Sequence, residues 1–209
     1  GYKVYGEDGA QMSPDATADV VKFISAIGDY FAVKEERNAL IRRVPASVDK
    51  SYYKNLTKLS LSRRAVRKVG KDLKLVYTPV HGYVPVTTIL KKLKINVSVV
   101  EEQVAKDPDF STVEVPNPEF KETLSKGIAL ADKIHADAVF GTDPDSDRLG
   151  VAVKNEKGEF VALSGNQVGI LLLDYILTRL KEEGKLPENG AVVKSFVTTG
   201  MAKAICDDF

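Results

Sequence analysis

Three aspartates, Asp143, Asp145 and Asp147, stand at alternate positions in the stretch Gly141-Thr142-Asp143-Pro144-Asp145-Ser146-Asp147-Arg148. A strand interior is a poor home for them, because carboxylates two apart share one face of a sheet and repel. A loop suits them better. Carboxylates are hard oxygen ligands, and one short loop can bring three of them to a single divalent cation. Magnesium fits such a set, since it takes a few carboxylates and keeps positions for water or a phosphate oxygen. Arg148, permanently charged and forked, is then placed to hold a phosphate beside the metal. A metal loop with an arginine is the equipment of phosphoryl transfer.

Other chemistries use similar spacing. A helix-loop-helix calcium site opens D-x-D-x-D but needs Gly at its sixth position and Glu at its twelfth, where this chain has Arg148 and Lys154, so it is excluded. A haloacid-dehalogenase-like phosphatase has two Asp two apart after an apolar strand, with Thr or Val next in the series. Here that place holds Asp147, and the reading would make Asp143 the nucleophile and Asp145 the acid/base. A non-catalytic metal- or sugar-phosphate-binding module is a third reading, and a solvated acidic turn the plainest one. The residues of the loop leave these open.

The surrounding chain must position the loop. With 209 residues, about 70% of the unfolded surface can be buried, enough for one sizeable core or two small ones. Hydrophobic content of 44% and charged content of 28% are those of a globular protein. Thirty basic against 29 acidic residues give a net charge of +1, which argues against nucleic acid and anionic membranes as partners. The local cluster Arg63-Arg64, Arg67-Lys68, Lys71 lacks interleaved aromatics and reads as a solvated helix face. The single Cys206 excludes an internal disulfide, fits a reducing compartment, and is expected to pack as a small apolar residue. No signal peptide or membrane span is recognised, so the expected location is cytoplasmic.

Residues 1–5 read as a short strand closed by the turn Gly6-Glu7-Asp8-Gly9. Ser13-Pro14-Asp15 is a helix start, with Val20, Val21, Ile24 and Ile27 on one stripe. Residues 30–38 form an unpatterned linker, 40–44 a strand ended by Pro45, and Ser47 or Asp49 caps a further helix. From Leu73 a βαβ rhythm sets in: strand 73–77, turn 78–82 with His81-Gly82, helix 86–93, strand 95–100. Loops after such strands lie at their carboxyl ends, where open α/β sheets bind ligands. Residues 103–116 are irregular. Asn117-Pro118-Glu119 opens a helix with Phe120, Leu124, Ile128, Ala131 and Ile134 inward, and strand 136–140 delivers the Asp loop. A hairpin follows, 149–153 with 160–163. Ser164 caps a helix over 167–183 with Val168, Leu171, Leu172, Tyr175, Ile176 and Leu180 inward, stopped by Gly184; then come strand 191–197 and helix 202–207. His135 is expected at an exposed helix end. The chain begins inside a strand and stops just after a helical turn, which suggests a piece of a longer protein.

Asp143-Pro144-Asp145-Ser146-Asp147-Arg148, Tyr77-Thr78-Pro79-Val80-His81-Gly82 upstream of it, and Gly1-Tyr2-Lys3-Val4-Tyr5-Gly6 at the start, in that order, resemble the phosphoglucomutase/phosphomannomutase (α-D-phosphohexomutase) family. The resemblance covers essentially the whole chain, but only the middle of the family's four-domain arrangement. It implies a three-layer α/β/α mixed-sheet domain of phosphohexomutase type flanked by partial neighbours: residues 1–38 as the tail of the first domain, 39–163 as the metal-binding second, 164–209 as the start of the third.

By the same resemblance Asp143, Asp145 and Asp147 would be magnesium ligands, Arg148 would contact the phosphoserine or the transferred phosphoryl group, and Lys3 would match an active-site lysine beside the serine. The implied activity of the full-length protein, a monomer or weak oligomer, is a magnesium-dependent intramolecular phosphotransfer between hexose 1-phosphate and hexose 6-phosphate, glucose phosphates in the first instance. The serine motif would lie just before Gly1, so the 209 residues are expected to be inactive alone. Tyr83-Val84-Pro85 after His81-Gly82 departs from the family's turn, and that loop is assigned a tight strand-to-helix turn rather than a ligand role.

Overall fold

The computed structural model describes residues 3–32, 40–82 and 85–209. These fall into two compact units, Gly1–Pro45 and Ala46–Phe209.

In the first unit, Gly6 and Ala10 close a turn that pairs Tyr5 with Gln11 in a single antiparallel bridge, less than the strand expected over 1–5, whose first two residues lie outside the described set. Helix α1, Pro14–Ser25, starts as its sequence dictates: the Ser13 hydroxyl accepts from the Ala16 N–H, and Pro14 occupies the first turn, where no N–H is needed. Its stripe, Val20, Val21, Ile24 and Ile27, is exposed. The linker of 30–38 begins with a 3-10 turn, Tyr30–Ala32; its remainder lies outside the described residues. Residues 40–44 are not a strand. Leu40, Ile41 and Val44 stand exposed, and the segment joins no sheet among the described residues.

The second unit is built on a mixed five-stranded sheet in the order β2-β1-β3-β4-β5. The strands are β1 (Lys74–Thr78), β2 (Asn96–Val99), β3 (Ala138–Thr142), β4 (Leu149–Lys154) and β5 (Phe160–Leu163). β1 pairs in parallel with β2 and β3, as a βαβ unit requires, while β3–β4 and β4–β5 are antiparallel. The helices are α2 (Ala46–Lys58), α3 (Arg63–Val69), α4 (Pro85–Lys92), α5 (Ser125–Ile134), α6 (Gly165–Glu182) and α7 (Met201–Asp207). α5 packs on β1 and β3, α4 on β2, and α2 on α4. The core joins Val76, Val139, Ala152 and Phe160 from the sheet to Leu124, Ala131 and Ala136 around α5. His135 ends α5 in the left-handed conformation, exposed.

Four expectations give way here. α2 begins directly after Pro45, so Ser47 and Asp49 lie in its first turn instead of capping it. The helix expected from Asn117 begins only at Ser125. Residues 117–125 instead make successive i→i+3 bonds, Phe120 to Asn117, Thr123 to Phe120, Leu124 to Lys121 and Ser125 to Glu122. The physical reason lies across the sheet, where the Pro118 carbonyl passes so close to Gly150 that a Cβ there would stand 2.0 Å from its oxygen. A regular helix could not lay that carbonyl on β4, and β4 could carry no side chain at Gly150. Residues 191–197 are also no strand; Val193 and Phe196 are exposed, with no strand beside them among the described residues. Finally, α6 has the expected start, a capping box in which Ser164 and Gln167 exchange side-chain bonds. Its face is less buried than its periodicity implies: Leu171, Leu172, Tyr175 and Ile176 are exposed.

Tyr77 makes this unit sensitive to alkali. Its ring is fully buried in β1, and its hydroxyl shares a 2.8 Å hydrogen bond with Thr142 Oγ1. Burial raises its pKa above the ordinary 10.0, with the Thr142 bond opposing. A proton held more tightly by the folded than the unfolded state gives stability that is intact below pH 10.0 and lost as pH rises past it. Denaturation midpoints should therefore fall between about pH 8 and about pH 11, and Tyr77→Phe should flatten that fall while costing about 1 kcal/mol at the lower pH. An unchanged slope in the variant would place the alkaline sensitivity elsewhere.

Candidate functional site

β3 ends at Thr142, and Asp143 follows at the carboxyl edge of the parallel part of the sheet. The loop then folds back on itself. The Ser146 N–H donates to the Asp143 carbonyl at 3.0 Å, and Ser146 takes a left-handed φ of +62°, which turns the chain within three residues. The Arg148 N–H donates to Asp143 Oδ1 at 2.9 Å, fixing the carboxylate where β4 begins. One carboxylate oxygen from each of Asp143, Asp145 and Asp147 then lies within 4.8 Å of the other two. Asp143 is buried, while Asp145 and Asp147 are exposed, so the cluster has one fixed wall and an open mouth. Arg148 Nε stands 3.9 Å from Asp143 Oδ2 and 4.0 Å from Asp147 Oδ1, and half its side chain is exposed.

The donor set is oxygen only, anionic and convergent, which fits magnesium and leaves open positions for phosphate or water. Three carboxylates so close repel, and among the described residues Arg148 is the cation paired with them, offsetting one charge. A divalent cation would neutralise the remainder.

The loop is braced by a second turn that the sequence marks only in part. After β1, Val80 and His81 take φ of +45° and +61°, a conformation costly for a β-branched residue. Hydrogen bonds over-determine it: the His81 N–H donates to the Gln103 carbonyl at 2.9 Å, the Gly82 N–H to Pro79 at 2.8 Å, and the Val80 N–H to Thr78 Oγ1 at 3.2 Å. The His81 ring is buried and bonds the Ala105 carbonyl at 2.8 Å and Thr112 Oγ1 at 2.7 Å. Gln103, fully buried, accepts from Thr78 Oγ1 and donates to Thr112 Oγ1 at 2.8 Å. Asp107 holds the turn between them; bonds from Ser111, with a further one from Asp109, keep its carboxyl below the usual range. Gly82 then meets the Asp loop directly, since a Cβ on it would lie 2.4 Å from Pro144 Cα and carbonyl oxygen.

His81 thus serves as a brace for the strand-to-helix turn. Gln103 and Thr112 had no sequence signal, because their partners lie on other elements. Lys3 belongs to the first unit, exposed and outside any regular element.

Residues 50–158 match the family model described as phosphoglucomutase/phosphomannomutase, alpha/beta/alpha domain II. That span holds all but the first turn of α2, the sheet through β4, and the whole Asp loop. The chain belongs to the phosphoglucomutase/phosphomannomutase family, which displaces the haloacid-dehalogenase-like reading. Among particular relatives, it is 39% identical to a phosphoglucomutase of Staphylococcus epidermidis and 35% identical to one of Staphylococcus aureus, covering 98% of this chain in each case. The chain spans 37% of the length of these relatives. Among solved structures, a Thermus thermophilus protein provisionally described as a phosphomannomutase superposes with a TM-score of 0.57 at 23% identity, over 93% of this chain and 40% of that one, in agreement with the fold.

Proposed function

We propose that this chain carries the metal-holding part of a phosphohexomutase, which interconverts hexose 1-phosphate and hexose 6-phosphate through a phosphoserine and a bisphosphorylated sugar. The observation that carries the reading is the convergence of Asp143, Asp145 and Asp147 at a strand's carboxyl end, with Arg148 beside them, in a chain of this family. The three carboxylates would hold magnesium, which when bound supplies a Lewis acid for phosphoryl oxygens. Arg148, with its exposed guanidinium, would bind and orient the phosphoryl group and oppose its charge. Lys3 would stand beside the phosphoserine. Residues 1–38, 39–163 and 164–209 are assigned to the tail of a first domain, a second domain and the start of a third.

The names of the relatives favour glucose phosphates as substrates. Among the described residues no helix is long and apolar enough to cross a membrane, and a cytoplasmic location is part of the proposal. With the serine assigned outside these 209 residues, the chain alone should convert no glucose 1-phosphate to glucose 6-phosphate, whereas a protein of the relatives' length containing it should do so only with a divalent metal. Turnover by the chain alone, or turnover indifferent to metal removal, would contradict this.

A further inference from the structure

A second concave site lies away from the Asp loop, between α2, α3 and the turn that follows α4. It is a cavity of about 420 Å³, within the range of small-molecule sites, and its lining includes Lys50, Lys54, Arg63, Arg67, Lys92 and Lys94 but no carboxylate. None of these six cations forms an ion pair among the described residues. In a chain of net charge +1 this is a strong local excess.

The cluster 63–71 reads from sequence as one solvated face. The fold divides it: Arg63 and Arg67 turn into the cavity, where α2 contributes Lys50 and Lys54 one helical turn apart, and Arg64, Lys68 and Lys71 do not line it. The floor is rigid. The Gly70 N–H donates to the Val66 carbonyl at 2.7 Å, the Gly70 carbonyl accepts from Asn96 at 3.0 Å, and Ile95 bonds back to Leu90 at 3.0 Å. Lys94 takes φ +62° just past α4, a place that glycine usually fills. Arg63 spends one guanidinium N–H on the Thr57 carbonyl at 3.0 Å, leaving its others for a ligand. Tyr53 adds an aromatic wall, with Lys92 Nζ 5.9 Å from its ring centroid.

We propose that this cavity binds a small molecule carrying two or more phosphoryl groups. Six unpaired cations around one concavity repel each other, and a multiply charged anion relieves that repulsion from the centre. Two arginines offer planar forks for phosphoryl oxygens, and lysines on three elements can reach a second group. A flat nucleic-acid surface would instead spread cations along a groove with several stacking aromatics, and this pocket has a single ring. The site shares no residue with the Asp loop, so it stands or falls independently of the metal assignment.

The test uses the 209-residue chain and inorganic pyrophosphate, titrated calorimetrically in magnesium-free buffer. Saturable binding of one pyrophosphate per chain is expected, weaker for orthophosphate and weakening as salt is raised. Lys54→Glu and Arg67→Glu should each reduce affinity by about tenfold or more, the neutral Arg67→Gln by less, and circular dichroism should be unchanged for all three because both side chains are exposed. Asp145→Asn should leave the binding as it is. Absence of pyrophosphate binding, or binding that survives both charge reversals, overturns the proposal. Tighter binding of a short single-stranded DNA through the same residues overturns the choice of a small molecule.

Discussion

Asp145→Asn is expected to weaken magnesium binding by about 100-fold or more, since loss of a direct ligand should exceed the roughly 10- to 100-fold typical of outer-shell partners. Asp145 is exposed, and none of its bonds holds the fold together, so the variant should unfold at the same denaturant concentration or slightly higher, with one carboxylate fewer in a crowded cluster. Asp143→Ala should behave differently. It removes the acceptor of the 2.9 Å bond from the Arg148 N–H as well as a ligand, so it should cost about 1–3 kcal/mol of stability in addition to metal affinity. Calorimetric magnesium titrations and urea unfolding of both variants separate the two roles. Equal magnesium affinity in wild type and Asp145→Asn would remove Asp145 from the site.

The second large effect should come from a residue that touches neither metal nor substrate. Gly82→Ala places a methyl group 2.4 Å from Pro144 Cα and carbonyl oxygen, and neither is the end of a flexible side chain. The Asp loop or the 78–82 turn must move. The turn is pinned by His81, Gln103 and Thr112 in a buried network, so most of the displacement should fall on Pro144 and the aspartates beside it. A cost of about 3 kcal/mol in stability is expected for overpacking at this contact, and magnesium affinity should drop by about tenfold as the carboxylates leave register. Thr112→Val provides the complementary case. It cuts the links to His81 and Gln103 without adding bulk, and should loosen the turn, with a smaller loss of metal affinity. A Gly82→Ala protein of wild-type stability would mean that the loop can yield at no cost.

What could be read from the sequence was local. The Asp loop was legible because its three carboxylates are neighbours in the chain, and one turn at Ser146 suffices to bring them together. The α1 and α6 starts were legible from Ser13 and Ser164, whose caps lie within three residues. The β4–β5 hairpin was legible because two short apolar runs flank Asn155, whose side chain accepts from the Lys157 and Glu159 N–H groups across the turn. What could not be read depends on distant partners. Residues 40–44 and 191–197 have the composition of strands, yet a strand exists only where a neighbour takes up its backbone bonds. Asn117-Pro118 has the look of a helix start, but Pro118 lies against Gly150, and that contact wins over a capping preference worth only about 1 kcal/mol. Gln103 gave no sequence sign of being a brace, because its partners Thr78 and Thr112 lie before and after it on separate segments.

The most direct test of the metal site is anomalous scattering from crystals of the chain grown with manganese, a magnesium substitute that scatters strongly. A single manganese peak is expected at the end of β3, bonded to one carboxylate oxygen from each of Asp143, Asp145 and Asp147, with Arg148 beside it. A manganese ion bound elsewhere while these three carboxylates hold none would contradict the assignment.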